Sequence, residues 1–283
     1  MPRINFNIVY RKIAGGLYLG VSKYIHIFIM GKKRELVYNY QIIINIFVKL
    51  LSMFILQRFW STIFFNDVEQ YRYMFNYAII SQILGLVYSM STPWKMVEKI
   101  QSGEISIEII RPINYIGALL VEEFGSLFSN IVTMIFPILV VSNFVFKIPC
   151  PSVKGLLVFL VCTILAYLII YLIRILISLV CFWVIEASAL LIFINVIIDL
   201  LSGQFLPSWF LPDWLKNIMD LFPFIWTYQK PIEILLSNSK YNTLSIQNLM
   251  QVIGMQIFWI SGLIVLVSIT WKKALNNLQI QGG

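Results

Sequence analysis

The sequence predicts an all-α integral membrane protein with six transmembrane helices, and three observations lead to this fold class. Hydrophobic residues make up 59% of the 283 residues, whereas charged residues make up 12% and the mean hydropathy is +0.84. Soluble domains carry roughly 25% charged residues. The apolar residues also form runs of about 20, the length at which an α-helix spans a bilayer. The polar stretches between these runs are too short for a soluble catalytic domain.

We divide the chain into an N-terminal cytoplasmic or interfacial amphipathic segment, residues 1–35, and a six-span transmembrane domain, residues 36–283. Gly, Pro and charge clusters bound the runs and place the spans at residues 37–65, 73–93, 114–146, 153–184, 187–206 and 247–271. The third and fourth runs are longer than a span requires. We therefore expect these two helices to tilt or to extend beyond the bilayer.

The N-terminal segment mixes basic and apolar residues. Seven of the 21 Lys and Arg residues lie before Glu35, and they are spread too widely for a cleavable signal peptide. Apolar side chains over residues 10–33 lie beside Lys23, Lys32 and Lys33, which favours an amphipathic helix in the inner membrane interface. A basic cytoplasmic arm is the alternative interpretation.

Lys and Arg residues near the span ends predict the orientation, because cytoplasmic loops carry an excess of them. With the N-terminus inside, thirteen of these residues fall on the inner side and six on the outer side. We therefore expect a multi-pass protein of a prokaryotic cell membrane, with both termini in the cytoplasm.

The connection between spans two and three begins at Trp94 and is the longest well-marked cytoplasmic loop. Apolar residues recur at helical spacing up to Gln101, and Ser102-Gly103 is typical of a helix end. The pattern predicts a short amphipathic helix parallel to the membrane. Over residues 104–109 the alternation of polar residues with Ile predicts an extended segment. A helix that only rests among lipid headgroups is the alternative to a functional one.

The segment between spans five and six, residues 202–236, is apolar but is interrupted by four prolines and a glycine. We expect short helices that re-enter the outer leaflet or lie along it. Aromatic residues of this segment would then form a belt at headgroup depth, namely Trp209, Trp214, Trp226 and Tyr228. A cap that shields the bundle and an outer gate are both compatible with this pattern.

Two motifs resemble those of type-2 ABC transporter permeases, specifically the small six-span branch. Ile100-Gln101-Ser102-Gly103-Glu104-Ile105, followed by Ile109-Ile110-Arg111-Pro112-Ile113, resembles the signature of their inner loop. The order from Ser202-Gly203 through Pro207 to Pro223, together with Phe182-Trp183 at the inner turn, also resembles that branch. The resemblance covers most of residues 35–271.

The resemblance implies roles for the two interruptions. The inner helix would be a coupling helix that docks on a separate ATPase subunit, with contributions from Trp94, Val97, Glu98, Gln101, Gly103 and Arg111. The outer helices would form an extracellular gate that includes Pro207, Trp209, Pro212, Trp214 and Pro223.

The resemblance also implies partners, because six spans are half of the usual complement of such a transporter. A second permease chain, identical or related, would pair with this one in the lipid bilayer above two ABC ATPase subunits, which bind ATP and Mg. We expect no catalytic, cofactor or metal site in this chain, and no nucleic acid partner. It has no GxxxxGK[ST] phosphate loop, one histidine, His26, and three cysteines without CxxC spacing.

Two charged residues fall inside predicted spans, where a charge costs at least about 2.5 to 3.5 kcal/mol. Lys49 and Asp199 each lie about twelve residues, or ~18 Å, from the inner ends of spans one and five. We expect a polar translocation path that contains Asn45, Lys49, Asn195 and Asp199. We hypothesise that Lys49 and Asp199 pair; alternatively Lys49 snorkels, Asp199 is protonated, or neighbouring amides bind each of them.

Four other charged residues lie nearer the span ends, where we expect interfacial anchoring: Arg58, Glu122, Glu123 and Arg174. The function we expect is that of a permease subunit of an ATP-driven exporter, which moves a lipid, peptide or amphipathic drug-like substrate by alternating access or gated extrusion. An ion-coupled secondary transporter or channel using Lys49 and Asp199 is the alternative, although the two halves show no internal repeat. A membrane-embedded lipid enzyme is disfavoured by the lack of paired catalytic motifs.

Overall fold

The computed structural model describes residues 23–31, 39–110, 113–146, 152–184, 187–236 and 246–276. No strand occurs among these residues, and the predicted all-α class is confirmed. The α-helices are α1 (23–31), α2 (Asn39–Ile63), α3 (Val68–Val87), α4 (Thr92–Gln101), α5 (Ile105–Ile110), α6 (Tyr115–Asn130), α7 (Phe136–Phe146), α8 (Val153–Val180), α9 (Ala187–Leu201), α10 (Asp213–Leu221), α11 (Gln229–Leu235) and α12 (Ile246–Asn276). A π-helical turn (Ile131–Ile135) joins α6 to α7, and 3-10 turns at Ser208–Phe210 and Phe224–Trp226 flank α10.

Four helices in the described part of the chain are long and apolar enough to cross a membrane: Ile42–Ile63, Tyr115–Phe146, Val153–Val180 and Leu249–Asn276. They overlap the predicted spans one, three, four and six. The helix that corresponds to predicted span five is shorter, with an apolar stretch from Ser188 to Leu201. The helix of predicted span two, α3, has 20 residues but carries Glu69 and Arg72 in its first two turns.

The boundaries of α3 differ from the predicted range 73–93. The helix begins at Val68, because the side chain of Asp67 accepts a hydrogen bond from the backbone N–H of Gln70 at 2.9 Å and caps the helix. It ends at Val87, and α4 begins at Thr92. The predicted span therefore starts too late and includes the beginning of the next helix.

The end of α9 also differs from the predicted range 187–206. The helix stops at Leu201 and the chain turns at Gly203, which has a left-handed φ of 80°. Glycine adopts this conformation readily because it lacks a Cβ atom. The last residues of the predicted span thus belong to the outer segment.

The predicted extended segment at residues 104–109 is wrong, because α5 occupies Ile105–Ile110. Ile105 and Ile109, four residues apart, pack into the main core, whereas Ile107 and Ile110 are exposed. A helix places the first pair on one face. Over so short a stretch the alternation of side chains does not distinguish a strand from one and a half helical turns.

The largest core cluster surrounds α8, whose side chains are buried on several faces. α12 packs along α8, and α4, α9 and α11 also contact it. Ala166, Ile169 and Ile170 of α8 are completely buried in this cluster. The helix α8 is therefore the central element on which the inner helix and the outer segment are both mounted.

The helix α1 packs against α6. The rings of Phe28 and Phe128 lie 6.3 Å apart, and the Ser126 hydroxyl donates to the Gly31 carbonyl at 3.3 Å. A Cβ atom on Gly31 would lie 2.2 Å from the backbone oxygen of Glu122, so only glycine fits there. The remainder of the interfacial helix predicted over residues 10–33 lies outside the described residues.

Candidate functional site

The inner helix α4 is held at its N-terminus by a carboxylate from α6. Oε1 of Glu123 accepts hydrogen bonds from the backbone N–H groups of Ser91, at 2.9 Å, and Thr92. Glu123 is 1% exposed. A carboxylate at this end of a helix accepts hydrogen bonds from otherwise unpaired N–H groups. Its negative charge also interacts favourably with the positive end of the helix dipole. The carboxylate therefore fixes the position at which α4 begins.

Two ion pairs hold the sides of α4. Nζ of Lys95 lies 2.8 Å from Glu122 of α6, and Nζ of Lys99 lies 2.7 Å from Glu108 of α5. Their side chains keep between 17% and 37% of their surface exposed. Such partly exposed pairs stabilise a fold by less than about 1 kcal/mol each, so their main effect is on the orientation of the helix.

The apolar side of α4 packs on the C-terminal end of α8 and the N-terminal half of α9. Val97 is buried in a small cluster with Cys181 and Leu191. Cys181 directly follows the end of α8, and Leu191 lies in α9. The Ser178 hydroxyl of α8 donates to the carbonyl of Pro93 at 3.1 Å. Displacement of α4 would therefore act directly on both α8 and α9.

The residues predicted for ATPase coupling separate into two groups. Glu98, Gln101 and Gly103 are exposed at the end of α4, where Gly103 has a left-handed φ of 77° and follows the helix as predicted. Trp94 is half-buried, and Val97 is buried, so these two anchor α4 to the bundle. Arg111 lies outside the described residues.

Glu122 and Glu123 were predicted to be interfacial anchors, but in the structure both of them contact α4. Their adjacent carboxylates bind α4, one through backbone N–H groups and one through Lys95. The available signal was the presence of two adjacent acidic residues in the third turn of an apolar helix. Such residues in a membrane protein indicate a specific partner.

A polar cluster lies among α2, α3, α8 and α9. Nζ of Lys49 donates to Oε1 of Gln82 at 2.9 Å. Nε of Arg174 donates to Oδ1 of Asn195 at 2.9 Å, and its Nη1 donates to the carbonyl of Tyr88 at 2.5 Å. Asp199 interacts electrostatically with both cations. The structure therefore brings three of the four predicted path residues together, while the fourth, Asn45, is exposed.

The predicted pairing of Lys49 with Asp199 is not realised as an ion pair, because the ammonium binds Gln82 instead. For Lys49, the observed partner is thus a neighbouring amide, one of the alternatives raised by the sequence. Arg174 is likewise more than an anchor at the end of a span. Its guanidinium joins the C-terminal end of α3 to α9.

The outer segment, residues 202–236, is tied to α3 by hydrogen bonds to its backbone. The Tyr77 hydroxyl donates to the carbonyl of Gly203 at 2.6 Å, and the Ser81 hydroxyl donates to the carbonyl of Gln204 at 2.6 Å. The Tyr88 hydroxyl donates to the carbonyl of Thr227 at 3.0 Å. One face of α3 therefore holds the beginning of the segment and the chain near Thr227.

Gln229 closes the outer segment on itself. Its side chain is buried, and its Oε1 accepts from the backbone N–H of Ser208 at 2.8 Å. Its Nε2 donates to the hydroxyl of Ser208 at 2.8 Å and to Glu233 at 2.6 Å, while its backbone N–H donates to the carbonyl of Ser202 at 3.1 Å. Buried polar groups that are satisfied in this way fix one conformation of a segment.

The predicted gate residues differ in exposure. Pro207 and Pro223 are buried, whereas Trp209, Pro212 and Trp214 are exposed. Trp214 belongs to α10, which begins at Asp213 directly after Pro212. The segment thus has an inner part that packs in the bundle and an outer part that does not.

The prediction of an aromatic belt is wrong for two of its four residues. Trp226 and Tyr228 are buried, at 7% and 3% exposed. The Nε2 of Gln256 in α12 donates to the carbonyls of Trp226, at 2.8 Å, and Cys162, at 3.0 Å, which holds this part of the chain inside the bundle. Burial raises the pKa of the Tyr228 hydroxyl, so it remains neutral.

The family described as ABC-2 family transporter protein matches residues 42–282, which is most of the chain. Neither a search of curated proteins nor a search of solved structures found a match. In the part of the chain that the structure describes, no group of three or more His, Cys, Asp or Glu side chains is placed to hold a metal ion. The extent of the family match shows that this chain belongs to the ABC-2 family of transporter proteins, the membrane permease subunits of ABC transporters.

Proposed function

We propose that this chain is the permease subunit of an ATP-driven exporter and that α4 is the helix through which a separate ATPase subunit moves it. The observation that carries the proposal is the attachment of α4, which is fixed by buried contacts on one side while Glu98 and Gln101 are exposed on the other. A helix held in this way transmits a force and does not absorb it.

The attachment predicts which parts of the bundle move. Glu123 transmits displacement of α4 to α6, the Ser178 to Pro93 bond transmits it to α8, and the Val97 cluster transmits it to α9. Packed elements of this kind shift between discrete arrangements and do not deform continuously. ATP binding and hydrolysis in the partner would therefore rotate these helices together.

The outer segment is the proposed gate. It hydrogen-bonds to α3 through Tyr77 and Ser81 and to α12 through Gln256, so movement of those helices relative to each other would strain it. Release of the part of this segment that packs in the bundle would open the translocation path to the outside. We infer that this opening completes each export step.

Six spans and a paired assembly complete the proposal. In this arrangement α3 and α9 serve as spans two and five, and a second permease chain, identical or related, packs beside this one. Two ATPase subunits, which bind ATP and Mg, lie on the cytoplasmic side with both chain termini. A lipid, peptide or amphipathic drug-like molecule suits the exposed apolar residues of α9, such as Ile192 and Phe193.

Co-purification with an ABC ATPase tests the proposal. We expect the reconstituted complex to hydrolyse ATP in a manner that depends on this chain, and Glu98→Lys on the exposed side of α4 to reduce turnover several-fold. Lys216→Glu, an exposed reversal in α10, is the matched control that should leave turnover unchanged. Transport driven by an ion gradient, without any ATPase, would instead support the secondary transporter that uses Lys49 and Asp199.

A further inference from the structure

Two hydrogen-bonded pairs, Lys49 with Gln82 and Arg174 with Asn195, both lie within electrostatic reach of Asp199. The five side chains come from α2, α3, α8 and α9. All five are half-buried. They are therefore largely sheltered by the surrounding helices, and none of them is fully exposed. We refer to them as the mixed-charge cluster.

Hydrogen-bond donors outnumber acceptors among the groups that the cluster leaves available. The amide oxygens of Gln82 and Asn195 are already bound by Lys49 and Arg174. An ammonium has three donors and a guanidinium five, so each cation keeps donors beyond those used. The amide NH₂ groups of Gln82 and Asn195 add further donors. Only the carboxylate of Asp199 offers strong acceptors.

The charges in the cluster do not cancel. Lys49 and Arg174 contribute two positive charges, and Asp199 contributes one negative charge without forming an ion pair to either cation. Glu123 is within electrostatic reach of Arg174, but its Oε1 is already bound to the first N–H groups of α4. An excess positive charge among apolar helices is costly unless another group neutralises it.

We propose that the mixed-charge cluster binds the anionic headgroup of an amphipathic substrate, through Lys49 and Arg174. The inference rests on the proposed transport function and specifies its substrate class. A phosphate or carboxylate group accepts several hydrogen bonds at once, and the planar guanidinium fits its oxygens two at a time. The exposed apolar residues Val196 and Leu200, on the same helix as Asp199, give the hydrocarbon part of the substrate a surface next to the headgroup.

Asp199 limits how tightly the anion is held. Its carboxylate attracts both cations and repels a bound phosphate. A transport site must bind its substrate well enough to load it and weakly enough to release it. Asp199 is thus the residue that keeps a site with two cations reversible.

Binding of defined probes tests this assignment. The purified chain, in nanodiscs of phosphatidylcholine, is titrated with dodecyl phosphate, inorganic phosphate or dodecyltrimethylammonium while its thermal unfolding midpoint is followed. Dodecyl phosphate should raise the midpoint and the ammonium probe should not. Lys49→Gln should weaken dodecyl phosphate binding about tenfold, a loss of about 1.4 kcal/mol, and Asp199→Asn should tighten it by a similar factor.

Matched variants separate binding from folding. Lys49→Arg retains the charge and should retain binding, which shows that the position tolerates substitution. Arg58→Gln removes a positive charge from the same helix, outside the cluster, and should leave binding unchanged. Stabilisation by the ammonium probe, or equal binding by Lys49→Gln and the unmodified chain, would overturn the assignment. Equal affinity for inorganic phosphate and dodecyl phosphate would show that the cluster binds a free anion, and would overturn the proposal of an amphipathic substrate.

The outcome is independent of the ATPase experiment. If the probes fail to bind but ATP turnover still depends on this chain, the substrate class is wrong and the permease function stands. If turnover does not depend on the chain, the permease function fails whatever the probes do.

Discussion

The inner helix α4 and the outer segment, residues 202–236, both interrupt the bundle of long helices, but they are attached in different ways. α4 is fixed by charges: Glu123 binds its first N–H groups, and Lys95 and Lys99 form ion pairs on its sides. The outer segment is fixed by neutral hydrogen bonds, most of them to its own backbone carbonyls.

This difference indicates different mechanical roles. A buried carboxylate that binds two N–H groups resists displacement strongly, because each bond to a charged group stabilises by about 1.5 to 3 kcal/mol. Neutral hydrogen bonds stabilise by about 1 kcal/mol each and exchange more easily. The inner helix is therefore suited to transmit movement, and the outer segment is suited to open and close.

The largest effect should follow removal of the carboxylate that begins α4. Glu123→Ala leaves two N–H groups without their acceptor, and we expect a loss of about 3 to 5 kcal/mol in the free energy of unfolding. Thermal unfolding of the purified protein measures this loss. Glu122→Ala, the adjacent residue with a partly exposed ion pair, should cost less than about 1 kcal/mol. Similar losses in the two variants would contradict the conclusion that Glu123, and not the Glu122 ion pair, fixes α4.

A smaller effect should follow disruption of the outer network. Gln229→Leu keeps the side-chain volume but leaves the N–H and hydroxyl of Ser208 without a partner. We expect a loss of about 2 to 3 kcal/mol, together with increased substrate leak from proteoliposomes and unchanged association with the ATPase. If the variant loses association with the ATPase but does not leak, the Gln229 network does not hold the outer gate closed.

Among the described residues, Gly103 and Gly203 have a left-handed φ, and they give the most direct comparison of the two regions. Gly203→Ala adds a Cβ atom 2.9 Å from Gln229, whereas Gly103→Ala adds one with nothing within 4 Å. Both substitutions strain the backbone by about 1 kcal/mol, and only the first also displaces packed atoms. We expect Gly203→Ala to lower the unfolding midpoint further than Gly103→Ala. The reverse order would mean that the end of α4 is the more tightly packed of the two.

Much of the fold was predictable because bilayer thickness and apolar composition constrain long helices strongly. Residues 115–146 and 153–180 are helical close to the predicted ranges. Helix ends were less predictable, since they depend on single interactions such as the cap by Asp67 or the turn at Gly203. The short alternating stretch that became α5 required knowledge of which Ile residues reach the core.

The candidate site was predictable in its location and less so in its contacts. The positions of Lys49 and Asp199 within apolar runs marked them as unusual, but the choice of Gln82 as the partner of Lys49 depends on how α2 and α3 pack. Glu123 and Arg174 were predicted to be interfacial anchors because they lie nearer the ends of the predicted spans than Lys49 and Asp199 do. Their partners, Ser91 and Tyr88, are 32 and 86 residues away in the sequence. The periodicity of one chain carries no information about contacts over such separations.

Site-specific photocrosslinking tests the central claim, that α4 and not the outer segment contacts the ATPase. A photoreactive residue replaces Glu98 in one variant and Trp214 of α10, also exposed, in another, and each is irradiated in the co-purified complex. We expect a crosslink to the ATPase from position 98 and none from position 214. Absence of a crosslink from position 98, or equal crosslinking from both positions, would contradict it.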